Sequence, residues 1–193
     1  MPTLIITDLD AVAEVDKGGK VVKESAQPCY GAAQTTANHV LKTWLPKRAE
    51  IDMLLAPPLK ALCYSAPDRP IAVAYQTPQG VKQGARTQAI TPSTFEDALV
   101  LTNPKAVTDA ARAEFSCRMT RAFAKSIAEA QAPQDLAKAL FDRLDKYPEK
   151  AAFALDLLYV EDMKALRAPP YIDAGLTWLA GQLKGVEGVL CKM

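Results

Sequence analysis

Eight residues near the start, Thr3-Leu-Ile-Ile-Thr-Asp-Leu-Asp10, constrain the fold more than any other segment. Their continuous apolar run is the pattern of a strand buried on both faces of a parallel sheet, and parallel strands require crossover connections, usually helices. The run stops at two carboxylates, Asp8 and Asp10, at positions i and i+2. Side chains alternate along a strand, so both aspartates are expected on one face, with Leu9 turned into the fold and the two Cα atoms roughly 6.6 Å apart. The carboxyl ends of strands are where open α/β sheets place ligands. Two acids there repel each other unless a cation lies between them, and oxygen ligands of this kind suit Mg²⁺ or Mn²⁺. The plainer alternative is a strand end whose aspartates cap the following loop.

The rest of the chain divides by composition near residue 100. Before it, β-like runs at Thr3 to Thr7, Ile51 to Leu55 and Ile71 to Tyr75 stand among turn-rich segments with many prolines. The polar stretch Glu14 to Gln34, with Gly18-Gly19 inside Lys17-Gly-Gly-Lys20, reads as a hairpin or loop inserted at about 13–36 after the first strand. After residue 100 the helix formers Ala, Leu, Lys and Glu dominate, and prolines at 104, 133, 148 and 169–170 punctuate helices. Leu136, Leu140 and Leu144 form one buried stripe. Phe153 and Leu157, with Ala154 and Leu158, form another, and Tyr171-Ile172 with Leu176, Leu179 and Leu183 form a last one. The expectation is an α/β core over 1–100 followed by a helical subdomain over 101–193.

Composition limits the partners. Among 193 residues, 23 Lys+Arg stand against 22 Asp+Glu, a formal net charge of +1, so any polyanion must be gripped locally. No apolar run is long enough to span a bilayer and no signal segment opens the chain, which predicts a cytoplasmic protein. Cys29, Cys63, Cys117 and Cys191 lie too far apart for a zinc or redox motif and are expected to be reduced packing residues. The one histidine, His39, lacks a ligand partner at metal spacing and reads as a surface or cap residue, while Trp44 and Trp178 sit on apolar stripes and are expected in the core.

Two further groups carry chemistry. In Ser93-Thr-Phe-Glu-Asp-Ala-Leu99 a Ser or Thr N-cap precedes an acidic first turn. Either Glu96 and Asp97 favour the helix terminus through its dipole, or Glu96 is a further metal ligand. Lys150 follows Pro148 at a helix start, where a cation opposes the dipole, and it lies on the stripe of Phe153 and Leu157. Such a lysine wants an anion, unless it reaches to solvent.

The segments Leu4-Ile-Ile-Thr-Asp-Leu-Asp10, Ala74-Tyr-Gln76, Thr94-Phe-Glu-Asp-Ala-Leu99, Glu149-Lys-Ala-Ala-Phe-Ala-Leu155 and Pro169-Pro-Tyr-Ile172 occur in that order over nearly the whole chain. Together they resemble the C-terminal Toprim region of the overcoming-lysogenization-defect (OLD) family of nucleases, class 2-like. The resemblance implies a Toprim-like parallel sheet and a metal-dependent DNA endonuclease that nicks or cleaves double-stranded DNA by a two-metal mechanism. It implies an N-terminal ABC-type ATPase half and a homodimer as partners. By resemblance Asp8 and Asp10 match the Asp-x-Asp metal ligands, Glu96 the acidic residue after the sheet, and Lys150 the lysine that balances charge on the phosphate. The family supplies a further Glu from an upstream strand-to-helix turn, and seven residues precede Asp8 here. The chain is therefore expected to be a fragment, N-terminally incomplete, that binds metal poorly and cleaves little by itself. It carries no phosphate-loop motif of its own.

Two other readings compete. Asp8-Leu-Asp10-Ala-Val12 also fits the nucleophile loop of a haloacid-dehalogenase-type phosphatase, with Asp8 as nucleophile, Asp10 as acid/base and Glu161-Asp162 as the late acidic pair. Alternatively, the chain is a non-catalytic DNA-docking or assembly module using Lys42, Lys47 and Arg48, or Arg112, Arg118, Arg121 and Lys125.

Overall fold

The computed structural model describes residues 1–56, 63–66, 69–159 and 163–190. Strands are β1 (Thr3–Ile6), β2 (Ala11–Asp16), β3 (Val21–Ser25), β4 (Thr35–Thr36), β5 (Cys63–Ala66), β6 (Arg69–Ala74), β7 (Gln79–Gln83) and β8 (Arg86–Ile90). Helices are α1 (Ile51–Leu55), α2 (Phe95–Thr102), α3 (Pro104–Ala110), α4 (Arg118–Glu129), α5 (Pro133–Leu144), α6 (Lys150–Leu158) and α7 (Pro170–Leu190). The architecture is α/β. It divides into one unit of residues 1–77 with 170–193 and a second of residues 78–169.

In the first unit β1 runs parallel to β6, with Thr3 opposite Ile71 and Ile6 opposite Ala74, and β5 pairs antiparallel on the other side of β6. Among the described residues β1 is thus an edge strand. Its residues are half-buried or exposed, Ile6 being 47% exposed, and the expectation of a strand covered on both faces does not hold. β6 occupies the centre, and its Ala72, Val73 and Ala74 are fully buried. The predicted hairpin is present: β2 and β3 pair from Val12 opposite Ser25 to Asp16 opposite Val21. Gly18 and Gly19 turn it at φ +67° and +86°, and Asp16 Oδ1 accepts from the Gly19 N–H at 2.6 Å.

Ile51 to Leu55, expected as a strand, is the short helix α1. Ile51, Leu54 and Leu55 are buried, the i, i+3, i+4 spacing of one helix face, so burial fixes a helical period that five residues alone leave ambiguous. Trp44, expected in the core, is half exposed while neighbouring Leu41 is fully buried.

Helix α7, expected in a helical C-terminal subdomain, belongs with the sheet: it packs on β1 and β6. Tyr171 is buried, and Gly175 lies so close to the strands that a Cβ there would meet Leu4 Cδ1 at 3.0 Å and Ala74 Cβ at 3.3 Å. Leu176 and Leu183 of the expected stripe are about half exposed. Gly175→Leu is expected to force α7 off the sheet and to cost about 1–3 kcal/mol, the range for overpacking. Urea unfolding followed by tryptophan fluorescence reads this, since Trp44 and Trp178 both lie in the first unit.

The second unit joins the β7–β8 hairpin to α2–α6, so the expected boundary near residue 100 falls inside it, within α2. Pro104 and Pro133 each start a helix, where the missing N–H costs nothing. Leu136, Leu140 and Leu144 of α5 join Phe123 of α4 and Phe153 and Leu157 of α6 in one core, with the two phenyl rings edge to face at 5.2 Å. Ala154 and Leu158, expected on that stripe, face outward. Buried Asp156 of α6 accepts from the Cys117 N–H at 2.8 Å and the Thr120 hydroxyl at 2.5 Å, capping α4 from a neighbouring helix. Among the described residues no helix is long and apolar enough to cross a membrane. Cys29 and Cys117 are free thiols, Cys29 exposed and Cys117 at the cap of α4.

Candidate functional site

The parallel pair β1–β6 ends at Ile6 and Ala74, and the Thr7 N–H still donates to Ala74 O at 2.9 Å. Asp8 and Gln76 therefore leave the sheet side by side. Gln76 is fully buried and directs its amide to this loop: Oε1 accepts the Leu9 N–H at 2.7 Å, and Nε2 donates to Asp8 Oδ1. Leu9 is fully buried, as expected.

The other side of the loop is held by β4 and the segment after it. Thr36 Oγ1 donates to Leu9 O at 2.5 Å, and the Ala37 N–H donates to Asp10 O at 2.8 Å. Asn38 Nδ2 donates to Thr7 Oγ1 and to Asp8 O, each at 2.7 Å, and approaches Asp10 Oδ2 at 3.3 Å. Asn38 Oδ1 accepts the Val40 N–H at 2.9 Å, so the same side chain anchors the following helical turn.

Strand alternation does not describe the Asp-x-Asp. Residues 7–10 lie beyond β1, and Asp10 sits at φ +47°, in the left-handed region that aspartate tolerates better than most residues. The orientation of the two carboxylates comes from Gln76 and Asn38 instead of from pleating. Asp8 is half-buried and Asp10 exposed.

Glu96 and Lys150 belong to the second unit. Lys150 Nζ lies 3.2 Å from Glu96 Oε2, with the carboxylate side chain 12% exposed and the lysine 50% exposed. The anion expected for Lys150 is thus a carboxylate, and its ammonium reaches outward although Phe153 and Leu157 on its own face are buried. Neighbouring Asp97 has a separate task. Its Oδ2 accepts the Ser93 N–H at 2.8 Å and its Oδ1 the Thr94 N–H at 2.7 Å, closing a capping box at the start of α2. Burial pushes the Asp97 carboxyl up to about 6 against these hydrogen bonds, which pull it down. Of the acidic pair, Asp97 is the cap and Glu96 is the acid turned to a cation.

Among the described residues no three His, Cys, Asp or Glu side chains gather into a group that could hold a metal ion. The Asp8–Asp10 loop offers hard oxygen donors of the kind Mg²⁺ accepts with one or two carboxylates, completing its octahedron from water and substrate oxygens. That donor set fits one ion. The late acidic pair that a phosphatase requires, Glu161-Asp162, lies outside the described residues. Spacing missed the roles of Gln76, two residues past the apolar strand β6, and of Thr36 and Asn38, at the end of β4 and two residues past it.

No protein-family model, curated protein or solved structure matches the chain.

Proposed function

We propose that the chain is the metal-dependent nuclease region of an OLD-type protein, built on a Toprim-like core and acting on phosphodiesters of double-stranded DNA. The observation that carries this reading is the clamped loop at the carboxyl ends of two parallel strands, where Gln76 and Asn38 hold Asp8 and Asp10. Asp8 and Asp10 would hold Mg²⁺ or Mn²⁺, which supplies Lewis-acid charge to a phosphate oxygen when bound. Gln76 orients the Asp8 carboxylate, and Asn38 fixes the backbone between the acids, the supporting role that keeps ligands in place around a metal. The resemblance makes Lys150 the lysine that balances charge on phosphate, and within the second unit Glu96 holds its ammonium. The second ion of a two-metal mechanism needs ligands beyond this loop. An ATPase half and a second copy of the chain as partners, and a cytoplasmic location, belong to the same proposal.

A Mn²⁺ titration followed by the electron paramagnetic resonance of the free ion tests the donor set. One weak site per chain is expected, lost in Asp10→Asn, whose exposed side chain leaves the fold intact. Mn²⁺ retention unchanged by that substitution counts against the site.

A further inference from the structure

Helices α4 and α5 and the turn after α5 border a shallow, open cleft of about 410 Å³, lined by Arg118, Arg121, Lys125, Arg143, Lys146 and Tyr147. Most basic helix faces are solvated and partnered, and elsewhere in this unit Lys105 pairs with Asp109 and Lys138 with Asp142 at i, i+4. Arg121, Arg143 and Lys146 of the cleft depart from that pattern. Arg121 Nε donates to Ser116 Oγ at 2.9 Å and its Nη2 to Glu114 O at 2.8 Å, while Arg143 Nε donates to Ser126 Oγ at 2.6 Å. These acceptors are uncharged, so each guanidinium is fixed in place with its full charge and with donors to spare. Among the described residues no carboxylate lies within ion-pair distance of Arg121, Arg143 or Lys146. Arg118 and Lys125 pair with Glu149 at 2.6 Å and Glu129 at 3.7 Å. Five cations against two carboxylates leave an excess of three positive charges in one concavity of a chain whose net charge is +1.

The spacing is also informative. Arg118, Arg121 and Lys125 follow at i, i+3 and i+7 along one face of α4. They span about 10 Å of helix axis, comparable with about three nucleotides of a duplex strand. Concave surfaces of one sign concentrate field and select polyanions over single ions.

We propose that this cleft seats the phosphodiester backbone of double-stranded DNA. The proposal deepens the nuclease reading, on which it rests for the choice of DNA as the polyanion. Lysines and arginines on phosphates carry no sequence information, so the cleft positions the duplex and reads no bases.

The test is fluorescence anisotropy of a labelled short duplex with the full chain in EDTA, where no cutting occurs, between about 50 and 200 mM salt. The double variant Lys125→Gln/Lys146→Gln changes two exposed side chains and is expected to melt like the wild type. Its plot of log affinity against log salt should flatten by about 2, at roughly 0.9 for each phosphate no longer neutralised, with affinity reduced at least about tenfold and equally for unrelated sequences. Lys105→Gln/Lys138→Gln, outside the cleft, should bind as the wild type. An unchanged slope in Lys125→Gln/Lys146→Gln overturns the proposal. So does a wild type that ignores the duplex, or one that holds tripolyphosphate more tightly than duplex. Nicking with Mg²⁺ is scored separately. Scored in the full-length protein, intact anisotropy without nicking counts against the nuclease reading and leaves the docking surface standing, and nicking that survives loss of the salt slope does the reverse.

Discussion

Asp8→Asn in the full-length protein is expected to reduce metal-dependent nicking of supercoiled DNA by more than about a hundredfold, exceeding the 10–100-fold typical of losing a residue that merely supports a ligand. The substitution keeps the size of the side chain and an oxygen that can still accept from Gln76 Nε2, so the loop survives and the charge alone is removed. Lys150→Ala is expected to abolish nicking as well. Gln76→Leu should fall in the 10–100-fold range, because Asp8 keeps its charge and loses its orientation. It also strips the Leu9 N–H of its acceptor in a buried place, a cost of about 1–3 kcal/mol. The order Asp8→Asn below Gln76→Leu below wild type is the pattern of a ligand and its orienting partner. Nicking that survives in Asp8→Asn removes the role assigned to it. Hydrolysis of a small aryl phosphate, if it appears and is abolished in Asp8→Asn, moves the chain to the phosphatase class, and none is expected.

The features legible in the sequence are those written in contiguous residues. An apolar run ending in acids marked β1 and its loop, Gly18-Gly19 marked the β2–β3 turn, and prolines marked the starts of α3, α5 and α7. The anion partner of Lys150 was legible as a need, because a cation at a helix start is unfavourable by itself. What escaped depends on residues distant in the chain. Gln76 acts on Leu9 from 67 residues away, and one buried glutamine leaves no period to detect. The shift to helix formers near residue 100 reports local propensity, and propensity says nothing of which face a helix packs on. α7 therefore read as part of the helical half, although Gly175 seats it against Leu4 and Ala74. The geometry of the Asp-x-Asp escaped for a local reason: alternation holds inside a strand, and β1 ends two residues before Asp8.

Lowering the pH from 7 to 4 is expected to add about 2 kcal/mol to the stability of the second unit through Asp97 alone. Its carboxyl stands at about 6 in the folded chain against an ordinary value of 3.8, because burial at the start of α2 disfavours the charge more than the capping hydrogen bonds favour it. The folded state therefore holds this proton more tightly than the unfolded chain does. Between about 3.8 and 6 the folded form carries the proton while the unfolded form has lost it, so stability falls as the pH rises through this window, by about 1.4 kcal/mol per unit at most. Above about 6 both forms are ionised and the burden on the fold is complete. Other carboxylates oppose the trend. Asp109, drawn below the ordinary range by its hydrogen bond with Lys105, loses its contribution in acid. The comparison that isolates Asp97 is urea unfolding of the wild type and Asp97→Asn at a series of pH values. Far-ultraviolet circular dichroism follows the helices, most of which, α2–α6, lie in the second unit. Asparagine does not titrate, and its altered capping adds an offset that is the same at every pH. The stability difference should therefore shift toward the wild type by about 2 kcal/mol on acidification from pH 7 to 4. A difference that stays flat would show that the capping N–H groups fully compensate the burial of this charge, leaving Asp97 an ordinary helix cap.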